Sequence, residues 1–336
     1  IVTEITKRFS LNYGFELNQT DYAITGVHST IKRDLSPDGN YADYSQDYNY
    51  FHQGYYLESE YYLSRKLLAI TGLRLDASNY NNETVIDPRY SLIYKLNDNN
   101  SLKIAGGIYH QFPKSQFQYG NYGGSKLLPM QAVHYVTGYE FKNELINLKS
   151  EFYYKDYADL PLEIENQKYD SKGHGYAYGA DFFLKGDLPF ISGWLSYSYL
   201  KTERKQLEYH KLVPADYDIR HNFVAALKKH LPAGQSFSLT YKIHSGKPYT
   251  AASEAWNQKR LPAIQSLDFS WSLYRSMPGN NFIVYYLAIS NILDSNNIYG
   301  YYFSPDYSEK TEISSTFGRM VYFGISLSLG KLPSIL

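Results

Sequence analysis

The stretch Arg8-Phe-Ser-Leu-Asn-Tyr-Gly-Phe-Glu-Leu17 sets Phe9, Leu11, Tyr13, Phe15 and Leu17 against Ser10, Asn12, Gly14 and Glu16. Strict period-two alternation is the mark of an extended strand with one apolar and one polar face. The pattern recurs at Ser236–His244, where Phe237, Leu239, Tyr241 and Ile243 oppose Ser238, Thr240, Lys242 and His244. Near the end of the chain, Val321, Phe323, Ile325, Leu327 and Leu329 alternate with Tyr322, Gly324, Ser326 and Ser328. Working outward from these, about fourteen such segments emerge, near 8–17, 51–63, 67–80, 88–96, 101–112, 131–141, 145–160, 176–186, 191–204, 218–230, 236–244, 266–274, 282–293 and 317–329. No helix of ordinary length competes with them.

Composition narrows what such strands can be. The 336 residues carry 33 basic and 33 acidic side chains, so a nucleic-acid partner gains no electrostatic support. No Cys is present, which excludes disulfides, thiolate metal sites and cysteine catalysis. Apolar runs such as Leu67–Ile70 fall far short of the roughly 18 residues of a membrane-crossing helix. The anomaly is 38 Tyr against 17 Phe and 3 Trp. A buried Tyr hydroxyl needs a hydrogen-bond partner, so this excess suits positions with one apolar and one wet end, as at a membrane interface. A Tyr-rich soluble sandwich or a carbohydrate-binding surface has the same composition.

Charge placement separates these readings. Glu58, Glu60, Arg74, Asp76, Arg89, Lys95, Lys149, Glu151, Lys155, Asp181, Lys185 and Lys228 all fall on the polar face of their segments, leaving the other face almost free of charge. A Lys or Arg turned to lipid at mid-bilayer costs about 2–4 kcal/mol, so a one-residue register slip would exceed a domain's margin of roughly 5–15 kcal/mol. Connections alternate between tight turns, as at 64–66, 97–100, 142–144, 187–190 and 231–235, and longer spans, as at 21–50, 81–87, 113–130, 161–175, 205–217 and 245–265. All 13 Pro are expected at strand starts or in connections, as paired strands require. These features predict an all-β fold, a transmembrane antiparallel up-and-down β-barrel with about fourteen strands in residues 1–336. An unpaired edge in hydrocarbon leaves backbone groups unsatisfied, so the ring must close.

Several pieces are similar to one family in colinear order. Gln131-Ala-Val-His-Tyr-Val-Thr-Gly-Tyr-Glu-Phe141, Glu151-Phe-Tyr-Tyr-Lys-Asp-Tyr-Ala-Asp-Leu-Pro161, Gly193-Trp-Leu-Ser-Tyr-Ser-Tyr199, Tyr217-Asp-Ile-Arg-His-Asn222, Ser245-Gly-Lys-Pro-Tyr249 and Tyr286-Leu-Ala-Ile-Ser-Asn-Ile-Leu293 resemble the C-terminal barrel portion of TonB-dependent outer-membrane receptors. The Tyr-rich style looks like receptors of the Bacteroidetes group. The resemblance implies active nutrient uptake across a Gram-negative outer membrane, with a siderophore, cobalamin, glycan or peptide as cargo. It implies as partners the outer-membrane lipid, the receptor's own plug domain, the TonB–ExbB–ExbD energy-coupling complex through that plug, and optionally a surface lipoprotein. No cofactor, nucleic acid or catalysed reaction is implied. Family barrels have 22 strands, so the chain is expected to be part of such a barrel, with the plug and earlier strands outside it. The end at 330–336 also runs past the last strand, where many outer-membrane barrels stop at a Phe. A complete plugless channel of about fourteen strands for passive diffusion is the alternative.

Chemical constellations are sparse. The nine His form no metal-binding pair at helical spacing, and His110, His134 and His244 read as polar lumen or rim residues. The acidic stretch 38–47 lacks the spacing of a calcium loop, and Gly173-His-Gly175 does not match a phosphate loop. Asp216, Asp218 and His221 could serve a rim-site hydrolase but lack a nucleophile motif. Ligand contact is expected from aromatic and amide residues of long connections, namely Gln116, Gln118, Tyr119, Tyr122, Trp256, Asn257, Tyr299 and Tyr301. A girdle or loop-packing role is the competing assignment for each. Glu58, Arg74, Lys149 and Arg220 are expected to face inward, toward plug or water.

Overall fold

The computed structural model describes residues 1–29, 41–114, 117, 126–165, 168–206, 211–251, 256–279, 281–304 and 308–329. Its strands are β1 (Val2–Thr6), β2 (Phe9–Ser29), β3 (Tyr41–Tyr62), β4 (Leu67–Ser78), β5 (Glu83–Lys95), β6 (Asn100–Gln111) and β7 (Met130–Lys142). They continue as β8 (Ile146–Glu165), β9 (Lys168–Leu188), β10 (Ile191–Arg204), β11 (Val213–Pro214), β12 (His221–Leu231), β13 (Gln235–His244), β14 (Pro248–Tyr249) and β15 (Lys259–Arg260). The last are β16 (Ile264–Met277), β17 (Asn281–Ser290), β18 (Ile298–Phe303), β19 (Lys310–Ser314) and β20 (Met320–Ser328). No helix of the described residues is long and apolar enough to cross a membrane, which says nothing of strands.

The main sheet runs β1-β2-β3-β4-β5-β6-β7-β8-β9-β10-β12-β13-β16-β17-β20, each strand beside its predecessor, with β11 paired to β10. No ladder among the described residues joins β1 to β20, so the sheet is open at both ends. The fourteen segments read from the sequence are all strands of this path. The fifteenth, β1, pairs Val2 with Asn12 and Glu4 with Ser10 and was not anticipated, because five residues carry too little alternation to stand out.

By its contacts the chain divides into two units. The first comprises Ile1–Tyr139, Phe152–Tyr178 and Thr202–Val213; the second comprises Glu140–Glu151, Gly179–Lys201 and Pro214–Leu336. In the first, register lines up an apolar row Phe15–Tyr55–Leu75–Ile86 and, one residue along, a polar row Gly14–Tyr56–Arg74–Asp87. In the second, Leu227–Leu239–Phe269–Ile289–Val321 alternates with Lys228–Ser238–Ser270–Ala288–Tyr322. Most side chains of these apolar rows are exposed, Phe15 at 71% and Val321 at 63% of full accessibility, with Leu75, Phe269 and Ile289 half-buried. Soluble proteins do not leave so many strands' worth of apolar side chains uncovered, so the medium against this face is itself apolar.

Tyr enters these rows by a repeated device. Tyr56 lies directly opposite Gly14, Tyr90 opposite Gly106 and Tyr286 opposite Gly324. A Cβ added at any of these glycines would collide with the facing ring, so each ring lies flat over its partner. Glycine gains the packing it lacks, and the ring gains a fixed seat on the sheet.

Two expectations are corrected. The spans 21–50 and 161–175 are largely strand: β2 and β3 run for 21 and 22 residues, and β8 and β9 for 20 and 21. A membrane strand needs about 9–11 residues, so roughly ten residues of each arm continue as paired ribbon into water. In β2 and β3 the polar residues of these extensions hide the alternation, whereas β8 keeps Leu160 and Leu162 buried on one face and is interrupted in the sequence by Pro161. The connection before β5 is likewise shorter than read, since Asp87 already lies within that strand.

Proline placement is the second correction. Pro88 sits inside β5 and Pro161 inside β8. Proline cannot donate to a ladder, and each site shows how the loss is absorbed. Registered pairing of β5 with β6 extends only as far as Arg89 with Gly107, while pairing with β4 continues past Pro88 to Glu83. Next to Pro161, Asp159 takes a left-handed backbone (φ 55°) and Gly173 approaches Leu160 too closely for any side chain.

Candidate functional site

The Asp87-Pro88-Arg89 tripeptide builds a site. Where Pro88 interrupts pairing, the Asp87 carboxylate takes over. Oδ2 accepts the His110 backbone N–H at 3.1 Å, and Oδ1 lies 2.6 Å from His110 Nδ1. A carboxylate only accepts, so Nδ1 carries the proton and Nε2 is left to accept from the Gln131 amide at 3.0 Å. Arg89 lies 3.6 Å from the same carboxylate, and its guanidinium covers the Tyr109 ring at 4.5 Å. Asp87 is 1% exposed, a burial tolerable because both oxygens are engaged.

One strand over, Arg74 and Asp76 project from the same face of β4, two residues apart. Arg74 Nε and one terminal amino group donate to the two carboxylate oxygens at 2.6 and 2.7 Å. Glu16 accepts from Arg74 at 3.3 Å, and His52 Nε2 lies 3.1 Å from Asp76. The pair rests over Gly54, where a Cβ would sit 2.7 Å from the guanidinium, so only glycine leaves room for it. His52, Arg74, Asp76, Asp87, Arg89 and His110 line a cleft of about 640 Å³ together with Phe112, Pro113 and Lys114 at the start of the β6–β7 connection. Phe112 meets His52 edge-on at 5.2 Å. The far end of that connection is pinned by Asn81 donating to Leu127 O and by Ser171 Oγ accepting from Leu128 N. Between these ends Phe117 packs on Tyr169 at 5.3 Å. Burial, helped by Glu163, holds the Tyr169 phenol above the usual range, so it stays a neutral hydroxyl.

In the second unit two long connections are tied together. Asp218 is fully buried and receives Arg260, whose other amino group donates to Asp218 O at 2.6 Å, and Arg220 at 3.2 Å. The Asn257 side chain donates to Pro214 O at 2.9 Å and to Asp216 at 2.7 Å. These contacts dispose of the hydrolase set. Both carboxylates are spent on loop ties, and His221 is 2.9 Å from Tyr197 Oη with the Tyr199 ring beside it. Among the described residues no group of three or more His, Asp or Glu could hold a metal ion.

Of the ligand candidates read from the sequence, Gln116, Gln118, Tyr119 and Tyr122 lie outside the described residues, as does Asp38 of the acidic stretch. Asn257 is buried, with its amide used inside the loop pair. Tyr299 and Tyr301 stand on the β18–β19 hairpin, where Tyr301 packs against Tyr249 at 5.1 Å and carries Lys310 over its ring at 4.1 Å. Trp256 adjoins Asn257 in the tied loop. Of the residues expected to face inward, Arg74 joins the cleft, Glu58 lies on the same face of β3 as Tyr56, Lys149 pairs with Glu140 at 3.3 Å, and Arg220 braces Asp218 just before β12. The cleft itself was not anticipated. Its sequence signals are Arg74 and Asp76 at i, i+2 on one strand face, and an Asp-Pro step inside an alternating segment.

A family model described as "TonB dependent receptor-like, beta-barrel" matches residues 2–308. The chain belongs to the TonB-dependent receptor β-barrel family. Members of this family are Gram-negative outer-membrane transporters and not enzymes. No curated protein is close enough in sequence to count as a relative. Among solved structures, the ferric yersiniabactin uptake receptor FyuA from Yersinia pestis superposes with TM-score 0.74 at 14% identity, over 96% of this chain and 51% of that one. The FrpB iron transporter from Neisseria meningitidis gives 0.70 at 11%, over 96% and 53%. The siderophore receptor PirA from Acinetobacter baumannii gives 0.70 at 14%, over 97% and 53%. At such identities the likeness speaks for the fold alone. The chain spans about half the length of these TonB-dependent receptors, and the apolar rows described above are the lipid-facing side of a β-barrel.

Proposed function

We propose that this chain is the barrel portion of an active nutrient importer of the outer membrane. In this reading the rest of the receptor supplies the plug and further strands, and TonB with ExbB and ExbD drives transport by remodelling the plug. The observation carrying it is the open fifteen-strand path, matched along nearly its whole length by receptor barrels. Open edges in hydrocarbon leave backbone groups unpaired, which speaks for a larger barrel and against a self-contained channel of about fourteen strands. The polar rows then face plug and water, and the cleft, Trp256, Tyr299, Tyr301 and the 116–122 stretch are the ligand-contact candidates. A surface lipoprotein is compatible with this arrangement.

The test is uptake by cells carrying the intact receptor gene, with and without tonB. Energy-dependent accumulation of a labelled nutrient should vanish in the tonB strain. Accumulation that persists there, with steady unitary conductance from the purified receptor in planar bilayers, would establish passive diffusion instead.

A further inference from the structure

The tight-turn end of the first unit is basic. Lys7 and Arg8 make the β1–β2 turn, Arg65 and Lys66 belong to the β3–β4 turn, and Lys95 leads into the β5–β6 turn. Backbone bonds set the three turns side by side, with Tyr62 N donating to Arg8 O at 2.9 Å and Lys95 N to Lys66 O at 2.8 Å. Against these cations the turns hold one acid, Asp98. The strand carboxylates beside them, Glu4 and Glu60, fall with Ser10 in one row of the polar face. Lys66 spends its ammonium on Leu96 O at 3.3 Å. Lys7, Arg8 and Arg65 are exposed and meet no carboxylate among the described residues.

Beside Lys7 and Arg8 opens a recess of about 680 Å³, whose other walls are Thr6, Phe9 and Tyr61. Phe9 and Tyr61 meet edge-on at 6.0 Å. They begin a row, Phe9–Tyr61–Ala69–Leu92–Ile104, that belongs to the apolar face. The recess therefore has a cationic rim and an aromatic floor, and the floor is part of the surface that meets hydrocarbon. Short turns of outer-membrane barrels lie on the periplasmic side, so this recess stands at the headgroup level of the inner leaflet, where amphipathic rings collect. A water-soluble polyanion would use the cations and leave the rings wet, and bare hydrocarbon would use the rings and leave the guanidinium without a counter-ion. A phospholipid uses both, its phosphate against Arg and Lys and its chain against the rings. Headgroup charge follows from the same residues. A zwitterionic head brings an ammonium that the neighbouring uncompensated cations repel, while a singly anionic head brings none.

We propose that this recess is a site for an anionic glycerophospholipid, with the phosphate held by Lys7 and Arg8, Arg65 on the adjoining turn adding to the field, and one acyl chain lying along Phe9 and Tyr61. The site needs only the barrel's place in a bilayer, and is independent of the cargo and of how transport is driven.

The experiment reconstitutes the intact receptor in phosphatidylethanolamine vesicles that carry a trace of phosphatidylglycerol with a diazirine on one acyl chain. A parallel sample carries phosphatidylethanolamine bearing the same diazirine. After illumination, phosphatidylglycerol adducts should map to the peptides holding Phe9 and Tyr61, at least about fivefold above the phosphatidylethanolamine adducts there. Lys7→Gln combined with Arg8→Gln should cut them about tenfold. Lys185→Gln, which removes a cation of the polar face paired with Asp187 at 2.7 Å, should leave them unchanged. Heat-modifiable mobility checks insertion. Should the double variant insert poorly, Arg65→Gln alone keeps the reading open and should cut the adducts about threefold. Equal labelling of these peptides by both lipids, or labelling indifferent to Lys7, Arg8 and Arg65, would reduce the recess to ordinary annular lipid and overturn the site. Displacement of the adducts by excess glycerol phosphate in the buffer would make it a site for a soluble anion and overturn it equally.

Discussion

Asp218 has no accessible surface and holds two arginines from different parts of the chain, so its loss is felt by both connections. Asp218→Asn keeps the shape, removes the charge and leaves Arg220 and Arg260 partly hydrated at 35% and 30% side-chain exposure. That partial exposure tempers the penalty to about 1.5–3 kcal/mol, the range for hydrogen bonds to a charged group. Urea titration of the folded fraction in lipid vesicles should register this as a lower midpoint, and a midpoint equal to wild type would contradict the tie. Gly54→Val is expected to displace Arg74 from Asp76, since the new side chain occupies the guanidinium's seat. Its signature is weaker ligand binding with lipid insertion preserved. Arg74 and Asp76 were legible as inward charges from alternation alone. Their joining with His52, Asp87 and His110 was not, because it depends on register between four strands, which no local pattern encodes. Asn257 shows the converse: an exposed-looking amide in a Trp-Asn-Gln loop is buried, because its partners Pro214 and Asp216 lie some forty residues earlier in the chain.

Alternation is a property of single strands, and so the membrane-crossing elements were legible almost completely. Substitution on the two faces of β3 separates the readings of those faces. Leu57→Lys turns a charge into lipid and should destabilise by about 2–4 kcal/mol, while Glu58→Gln, one residue along on the polar face, should change stability by under about 1 kcal/mol. Equal effects in a chemical denaturation series would reverse the face assignment. What escaped the sequence were the elements governed by water on both sides. The ribbon of β2–β3 read as a loop because polar residues on both faces erase the contrast between them, and that of β8–β9 because Pro161 and the Gly173-His-Gly175 stretch look like breaks in a strand. Pro88 and Pro161 were misplaced for a related reason: Asp87 takes over where Pro88 lacks a donor, and Pro161 follows the left-handed Asp159, both set by neighbouring geometry that alternation does not encode. Pro88→Ala is therefore predicted to restore a donor, extend pairing toward β6 and narrow the cleft. The measurement is ligand affinity, which should fall while the denaturation midpoint holds or rises.

At the scale of the whole chain, fold class and family were legible because they rest on many weak repeats adding up: one nearly charge-free face in almost every strand, alternating short and long connections, and colinear motifs. Cargo was not legible, since it depends on a cleft assembled from strands far apart in sequence and on the connections above them. The β2–β3 ribbon has a practical corollary. Its arms outrun the hydrocarbon by roughly ten residues, a projection of about 25 Å at the strand tilt of such barrels. Because the chain has no Cys, Asp43→Cys near the ribbon's tip offers a single thiol for a membrane-impermeant maleimide. Living cells should label there rapidly, whereas Leu57→Cys in the same strand should stay dark until the envelope is dissolved. A spike of that reach stands in water where an antibody, a phage tail fibre or a host protease can grip it, so immune and viral pressure on the bacterium falls on its residues.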